Sequence, residues 1–203
     1  MKRASLRVGS GRLKRTAIPA ARSHKQHQNS TSARVKEAAF QLVRNHVDID
    51  EPWVFYDLFA GSGQMGIEAL SLGAAHVTFV DLVPERLSDI QHTLQSLDID
   101  RSAYTLVRSR ANKVLGESFS VKEMPVVVWA DPPYTYGNSA SNDPANLILL
   151  YRSAAAESGP PYPVLLMQVH EKNPAMAQEF LDSNPDIQVY RYGSNCLLLL
   201  KLH

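Results

Sequence analysis

Asp57-Leu58-Phe59-Ala60-Gly61-Ser62-Gly63-Gln64-Met65-Gly66 is the stretch on which the fold of this chain turns. An apolar run from Trp53 leads into it and reads as a strand, Trp53–Leu58. The residues from Gln64 to Ser71 read as a helix. Gly61, Gly63 and Gly66 therefore fit G-x-G-x-x-G between a predicted strand and a predicted helix. Glycine there permits a tight turn and lets a ligand approach backbone N–H groups. Twenty residues after Gly61, at the end of the next predicted strand, stands Asp81, where a carboxylate can grip ribose hydroxyls. With strand, helix and acid in place, the pattern points to a nucleoside-containing cofactor.

Working outward, strands and helices alternate. Further strands are expected at His76–Asp81, Tyr104–Arg108, Pro125–Ala130 and Pro163–Val169. Helices are expected at Pro84–Gln95, Asn142–Ala156 and Asn173–Leu181, with a short one at Ala111–Leu115. Two closing strands, Ile187–Tyr192 and Asn195–Leu202, flank the tight turn Gly193-Ser194. The alternation predicts an α/β fold: a Rossmann-like, mostly parallel seven-stranded sheet with helices on both faces and a C-terminal antiparallel hairpin. Right-handed crossovers then put the loops after the first and fourth strands on one edge.

Asp57 narrows the cofactor. A dinucleotide would set its pyrophosphate against this loop, and two like charges about 4 Å apart cost roughly 4 kcal/mol at an effective dielectric near 20. S-adenosylmethionine has no phosphate and carries a cationic ammonium and sulfonium, which a carboxylate welcomes. Asp57 can also tie down its own loop through backbone N–H groups, and both roles are compatible.

The fourth strand ends in Asp131-Pro132-Pro133-Tyr134. Two prolines fix two φ angles and remove two backbone donors. What remains is an acceptor-rich corner with an aromatic ring beside it. A carboxylate (Asp131) and a carbonyl (Pro132) taking the two hydrogens of an exocyclic NH2 would bias its nitrogen toward a tetrahedral shape, with the lone pair aimed at the sulfonium methyl. Positioning and electrostatics are what such a site supplies. Tyr134 would stack on the base, which must be flipped out or already unpaired.

Charge is unevenly spread. Residues 1–44 hold eleven Lys/Arg and one acid, 11 − 1 = +10, and the rest hold ten Lys/Arg and nineteen acids, 10 − 19 = −9. Basic segments of this kind meet polyanions, and such binding is salt-dependent. A solvated tail or an organelle transit peptide would share this composition. Leu6 and Val8, set among Gly9, Gly11 and cations, read as a Gly-broken hairpin displaying Arg7, Arg12, Lys14 and Arg15. A helix follows, with Thr31 or Ser32 as its N-cap. A single cysteine, Cys196, excludes an internal disulfide framework, and no apolar run approaches the roughly 20 residues of a membrane span. The expectations are a cytoplasmic, monomeric protein without metal or membrane association. It divides into a basic RNA-contacting extension (1–33) and a methyltransferase domain (34–203).

On these residues the chain resembles the RsmD-type ribosomal RNA guanine-N2 methyltransferases of bacteria. The likeness runs through Arg7 to Pro19, Arg34-Val35-Lys36-Glu37-Ala38-Ala39-Phe40, Asp57 to Gly66, Thr78-Phe79-Val80-Asp81, Asp131 to Tyr134 and Tyr192-Gly193. It implies S-adenosylmethionine-dependent methylation of a guanine amine in small-subunit (16S) ribosomal RNA, with assembled particles preferred. Asp131, Pro132, Pro133 and Tyr134 would form the catalytic corner. Asp57, Phe59, Ala60, Gly61, Gly63, Asp81, Leu82, Arg110 and Ala111 would line the cofactor. Arg7, Arg12, Lys14, Arg15 and Arg34 would meet RNA. Two departures stand out. The family carries Arg-Pro-Thr before its first helix, and this chain has Asn29-Ser30-Thr31, leaving Lys25 or Arg34 to supply the cation. The acid that would meet the adenine amino group is replaced by Arg110, which cannot accept a hydrogen bond. Adenine recognition then falls to backbone atoms, or affinity is weak. The competing readings are a DNA adenine amino-methyltransferase, a non-catalytic RNA-binding protein on a relict fold, and a nicotinamide oxidoreductase.

Overall fold

A computed structural model describes residues 6–18, 31–116, 124–133, 143–170 and 178–202. Leu6–Arg7 (β1) and Ala17–Ile18 (β2) pair antiparallel as a short hairpin. Ala33–His46 (α1) follows, capped by the Ser32 side chain, which accepts from the Val35 N–H. The sheet then builds from Val54–Asp57 (β3), His76–Asp81 (β4), Tyr104–Arg108 (β5), Val126–Ala130 (β6) and Val164–His170 (β7). It closes with Gln188–Tyr192 (β8) and Asn195–Lys201 (β9). Between the strands lie Gln64–Ser71 (α2), Pro84–Ser96 (α3), Ala111–Leu115 (α4), Pro144–Ser158 (α5) and Gln178–Asp182 (α6). The helix expected over Asn173–Leu181 falls partly outside the described residues; within them, Gln178–Asp182 is helical, as α6.

The strand order is β5-β4-β3-β6-β7-β9-β8. β3 to β7 are parallel, and β9 runs antiparallel between β7 and β8. This is the expected seven-stranded sheet with its terminal antiparallel pair. β3 leads outward to β4 on one side, whereas its other neighbour, β6, arrives after the chain has crossed back from β5. The order therefore reverses between β3 and β6, and the carboxyl ends of these two strands open a crevice.

Strand residues alternate between two cores, as the pleat requires. Val127 and Trp129 of β6 face a core shared with α1, α2 and α3. Val126, Val128 and Ala130 face a second core built with α4 and α5. β6 is thus buried on both faces, which is why it reads as an unbroken apolar run. Gly66 lets α2 lie directly on the sheet: a Cβ there would meet the Phe79 ring at 2.2 Å.

The hairpin is part of the first core, with Val8 and Ile18 both buried in it. Its anchor is Glu68 on α2, 1% exposed. That carboxylate accepts from the Gly9 and Ser10 N–H groups and the Ser10 hydroxyl, and it pairs with Lys36 Nζ at 2.8 Å. Lys36 also donates to the Arg7 carbonyl at 2.9 Å. Burial alone would raise the Glu68 pKa, but the Gly9 N–H, Lys36 and Ser10 together hold it below its ordinary value. One turn further along α2, the Ser71 carbonyl takes the Arg12 N–H, and Gly11 (φ 73°) presses so close that a Cβ would strike that carbonyl at 1.9 Å.

Candidate active site

The crevice at the β3/β6 switch point gathers the residues singled out by spacing. Asp57 ends β3, opposite Trp129 of β6 in register. Its carboxylate is 1% exposed. It accepts the Gly66 N–H at 3.0 Å, and no Lys or Arg pairs with it among the described residues. The bond to its own loop is the tethering role foreseen for it. Burial pushes its pKa up to about 7; the Gly66 N–H opposes the rise, and the neighbouring carboxylates Asp131 and Asp81 add to it. A buried carboxylate in this state lacks a positive partner.

Phe59, Ala60, Gly61 and Gly63 form the turn above it. The Ala60 N–H reaches the Val80 carbonyl at 2.9 Å, binding the loop to β4. Asp81 ends β4 and is 6% exposed. One of its oxygens takes the Gly61 N–H and the other the Val83 N–H, both at 2.9 Å. Arg86 of α3 lies at 3.4 Å from it. Leu82, the next residue, is 45% exposed, a large apolar side chain left open beside the loop. Arg110 caps α4 through its backbone with its side chain exposed, and Ala111 is buried.

Asp131 follows β6 directly. Thr31, just before α1, donates its hydroxyl to Asp131 Oδ2 at 3.3 Å. Burial raises the Asp131 pKa to about 7, and the Thr31 hydrogen bond opposes that rise. Pro132 is buried and Pro133 exposed. Tyr134 lies outside the described residues. Three carboxylates, Asp57, Asp81 and Asp131, thus stand at one sheet edge, on strands separated in sequence but adjacent in order.

Arg7, Arg12, Lys14, Arg15 and Arg34 are all exposed. The hairpin turn is held at the end of α2 opposite the glycine loop. Arg12 is held at Ser71, the far end of an eight-residue helix, roughly 12 Å along α2 from the glycine loop at 1.5 Å per residue. Arg34, in the first turn of α1, is nearer the corner, three residues from Thr31.

Two long-range contacts escaped sequence reading. The Thr31–Asp131 bond joins residues whose neighbourhood nothing local reveals. The Lys36–Glu68 pair is similar, although a lone acid inside the apolar segment Gln64-Met65-Gly66-Ile67-Glu68-Ala69-Leu70 was a usable signal. Among the described residues, no group of three or more His, Cys, Asp or Glu is arranged to hold a metal ion, and no helix is long and apolar enough to cross a membrane.

The family model described as conserved hypothetical protein 95 matches residues 6–152. The candidate rRNA methyltransferase YlbH of Bacillus subtilis is 33% identical over 104 residues, 51% of this chain and 54% of that protein. The ribosomal RNA small subunit methyltransferase D of Haemophilus influenzae is 30% identical over 106 residues, 52% of this chain and 53% of that protein. This chain spans about half the length of the curated relatives it matches. The solved structure of the candidate methyltransferase yhhF from Escherichia coli overlays with a TM-score of 0.65 at 21% identity, covering 98% of both chains. That overlay identifies the fold as the class I methyltransferase fold. The matched span contains the hairpin, the glycine loop, Asp81 and the Asp131 corner, and the chain is a member of the RsmD-type family.

Proposed function

We propose that this protein transfers a methyl group from S-adenosylmethionine to the exocyclic N2 amine of a guanine in small-subunit ribosomal RNA. The observation that carries the reading is the pair of neighbouring carboxylates at the ends of β3 and β6, Asp57 buried and Asp131 half-buried, each of which raises the cost of charging the site. Asp57 lacks a cationic partner among the described residues, and the cofactor's ammonium and sulfonium are cations. Asp81 has the placement to receive ribose hydroxyls while its bonds to Gly61 and Val83 keep the loop shaped. Exposed Leu82 offers an apolar shelf for the adenine. When bound, S-adenosylmethionine supplies an electrophilic methyl group on sulfur.

The chain's own residues do the rest. Asp131 Oδ1 and the Pro132 carbonyl accept the two amine hydrogens and orient the nitrogen lone pair. Thr31 holds the other oxygen of Asp131, so the carboxylate cannot swing away. The methylated nitrogen is strongly acidic, and Asp131 is the nearest group to receive its proton. A carboxylate raised toward neutral pH is a better acceptor for that proton than an ordinary one.

The substrate is larger than a nucleotide on this reading. Arg7, Arg12, Lys14 and Arg15 lie on a hairpin whose turn is pinned at Ser71, the end of α2 opposite the glycine loop, so an RNA that meets both the turn and the crevice extends across that separation. That separation, and the names of the relatives, support ribosomal RNA within a small-subunit particle. The deciding experiment is tritium transfer from labelled S-adenosylmethionine to undermethylated small ribosomal subunits, followed by nucleoside analysis. The expected product is N2-methylguanosine. Label in N6-methyladenosine, or in none of the RNA, overturns the reading.

A further inference from the structure

Gln168 lies beside the acceptor corner and is unused by anything described so far. Ala130 of β6 pairs with Met167 of β7. The next residues on the two strands are Asp131 and Gln168. Trp129 and Leu166, two residues earlier, both face the first core, so by strand alternation Asp131 and Gln168 share that face. It is the face from which Thr31 reaches Asp131. Gln168 is only 5% exposed. Its amide nitrogen donates to Asn195 Oδ1 at 3.4 Å, and its amide oxygen is buried with no hydrogen-bond partner among the described residues. Native proteins seldom leave such an oxygen unsatisfied, and one beside a candidate site asks for a donor from the ligand.

We propose that Gln168 selects guanine: its amide oxygen accepts the N1–H of the base whose N2 amine is held by Asp131 and the Pro132 carbonyl, with Asn195 keeping that oxygen turned toward the base. This rests on the guanine reading above and names its specificity element. The chemistry is particular to guanine. Its exocyclic amine is flanked by a ring N–H, a donor. The ring nitrogen beside the amine of adenine or cytosine is an acceptor, and neither base has a ring N–H there. Set against the Gln168 oxygen, those bases would bring two lone pairs together and leave both unsatisfied. A glutamine free to rotate could present its NH2 instead and accept either kind of base. The contact with Asn195, one strand over on β9, opposes that rotation. A buried polar group left unpaired by the wrong substrate is an effective way to discriminate.

The test uses the full chain, tritiated S-adenosylmethionine, undermethylated small ribosomal subunits and nucleoside analysis. Gln168→Met keeps the length of the side chain and removes the acceptor, and Gln168→Glu keeps an acceptor. The expected result is a loss of about 10–100-fold in kcat/KM for guanine methylation in Gln168→Met. Gln168→Glu should recover most of that loss, cofactor affinity should stay near wild type in both, and Tm should stay near wild type in Gln168→Met. A Gln168→Met enzyme that methylates guanine at the wild-type rate overturns the assignment. So do two variants that fail together, or that lose cofactor binding, because those outcomes mean a structural role. Wild-type enzyme yielding methyladenine and no methylguanine overturns the guanine reading itself, and the assignment falls with it.

Discussion

The Thr31 hydroxyl and the Asp131 carboxylate, one hundred residues apart in the chain, are joined by a 3.3 Å hydrogen bond at the carboxyl edge of the sheet. Thr31 precedes the cap of α1 and Asp131 leaves β6, so this contact ties the start of the helical layer to the acceptor corner. Because the bond stabilises the charged carboxylate, losing it raises the Asp131 pKa further above about 7. Thr31→Val should therefore move the acidic limb of the pH–rate profile to higher pH, with lower turnover at neutral pH. Thr31→Ser should restore the wild-type profile. An unshifted limb in Thr31→Val, measured across pH 6–9, would show that the hydroxyl does not act on Asp131.

Asp57 should make cofactor affinity pH-dependent. Its pKa in the free protein is about 7, and a cationic ligand favours the ionised form. S-adenosylmethionine binding should therefore strengthen as pH rises through 7, by up to about tenfold per unit below that point. Asp57→Asn should bind more weakly and lose this slope. The free protein should show the opposite trend. A carboxyl whose pKa is raised on folding contributes stability below its unfolded value, and that contribution is lost as pH rises toward 7. Calorimetric titrations at pH 6, 7 and 8 check the first trend and thermal melts of the free protein check the second.

Asp131→Ala should abolish methyl transfer and leave cofactor binding intact. The like charge beside Asp57 disappears in this variant, so Asp57 ionises more easily and affinity near neutral pH should not fall. Parallel calorimetry and tritium transfer separate the two effects. Turnover persisting at the wild-type level would remove Asp131 from the reaction.

The Lys36–Glu68 pair should matter chiefly to stability. Both side chains are nearly fully buried. Removing one partner leaves a buried charge alone, which costs about 3–5 kcal/mol. Glu68→Ala also frees the Gly9 and Ser10 N–H groups and should release the hairpin from α2. Replacing both residues with methionine should cost less than either single change by removing the unpaired buried charge, and what remains measures the lost Gly9 and Ser10 contacts. Since the Glu68 pKa is lowered on folding, its contribution is present above the ordinary carboxylate range and is lost as pH falls through the folded value. Urea denaturation of the three variants measures these terms.

Arg12 and Lys14 are the clean probes of the hairpin, because Arg7 donates to the Arg15 carbonyl and Arg15 holds φ at 70°. Arg12→Gln and Lys14→Gln should each lower the slope of log K for RNA against log salt by about 0.7–0.9. An unchanged slope in the double variant would mean that the hairpin turn does not touch phosphate.

Much of this architecture is legible in the sequence. His76–Asp81, Tyr104–Arg108, Gln64–Ser71 and Ala111–Leu115 have the boundaries their patterns predict. Each is a contiguous apolar or helical run with a clear stop. The glycine loop and Asp81 were readable because their spacing reflects one turn and one crossover, both short-range events in the chain. The acceptor corner was readable because two prolines at the end of a buried strand leave few conformations open. Local sequence dictates what depends on local backbone preference and on the periodicity of burial.

Contacts between remote segments belong to the tertiary structure. Residue pattern alone gave no reason to bring Thr31 to Asp131, to set Lys36 against Glu68, or to seat Gln168 on the strand beside Asp131. These neighbours exist because β3, β6 and β7 lie side by side and α1 crosses their face. The same packing decided where the cations stand. Arg7, Arg12, Lys14 and Arg15 read as one basic stretch, and only the docking of Gly11 against Ser71 placed their turn a helix length from the crevice. It also decided the charge states: the Asp57 carboxyl is pushed up to about 7 by burial and by two acids from other strands, and desolvation is a property of the folded surroundings, not of the residue that suffers it.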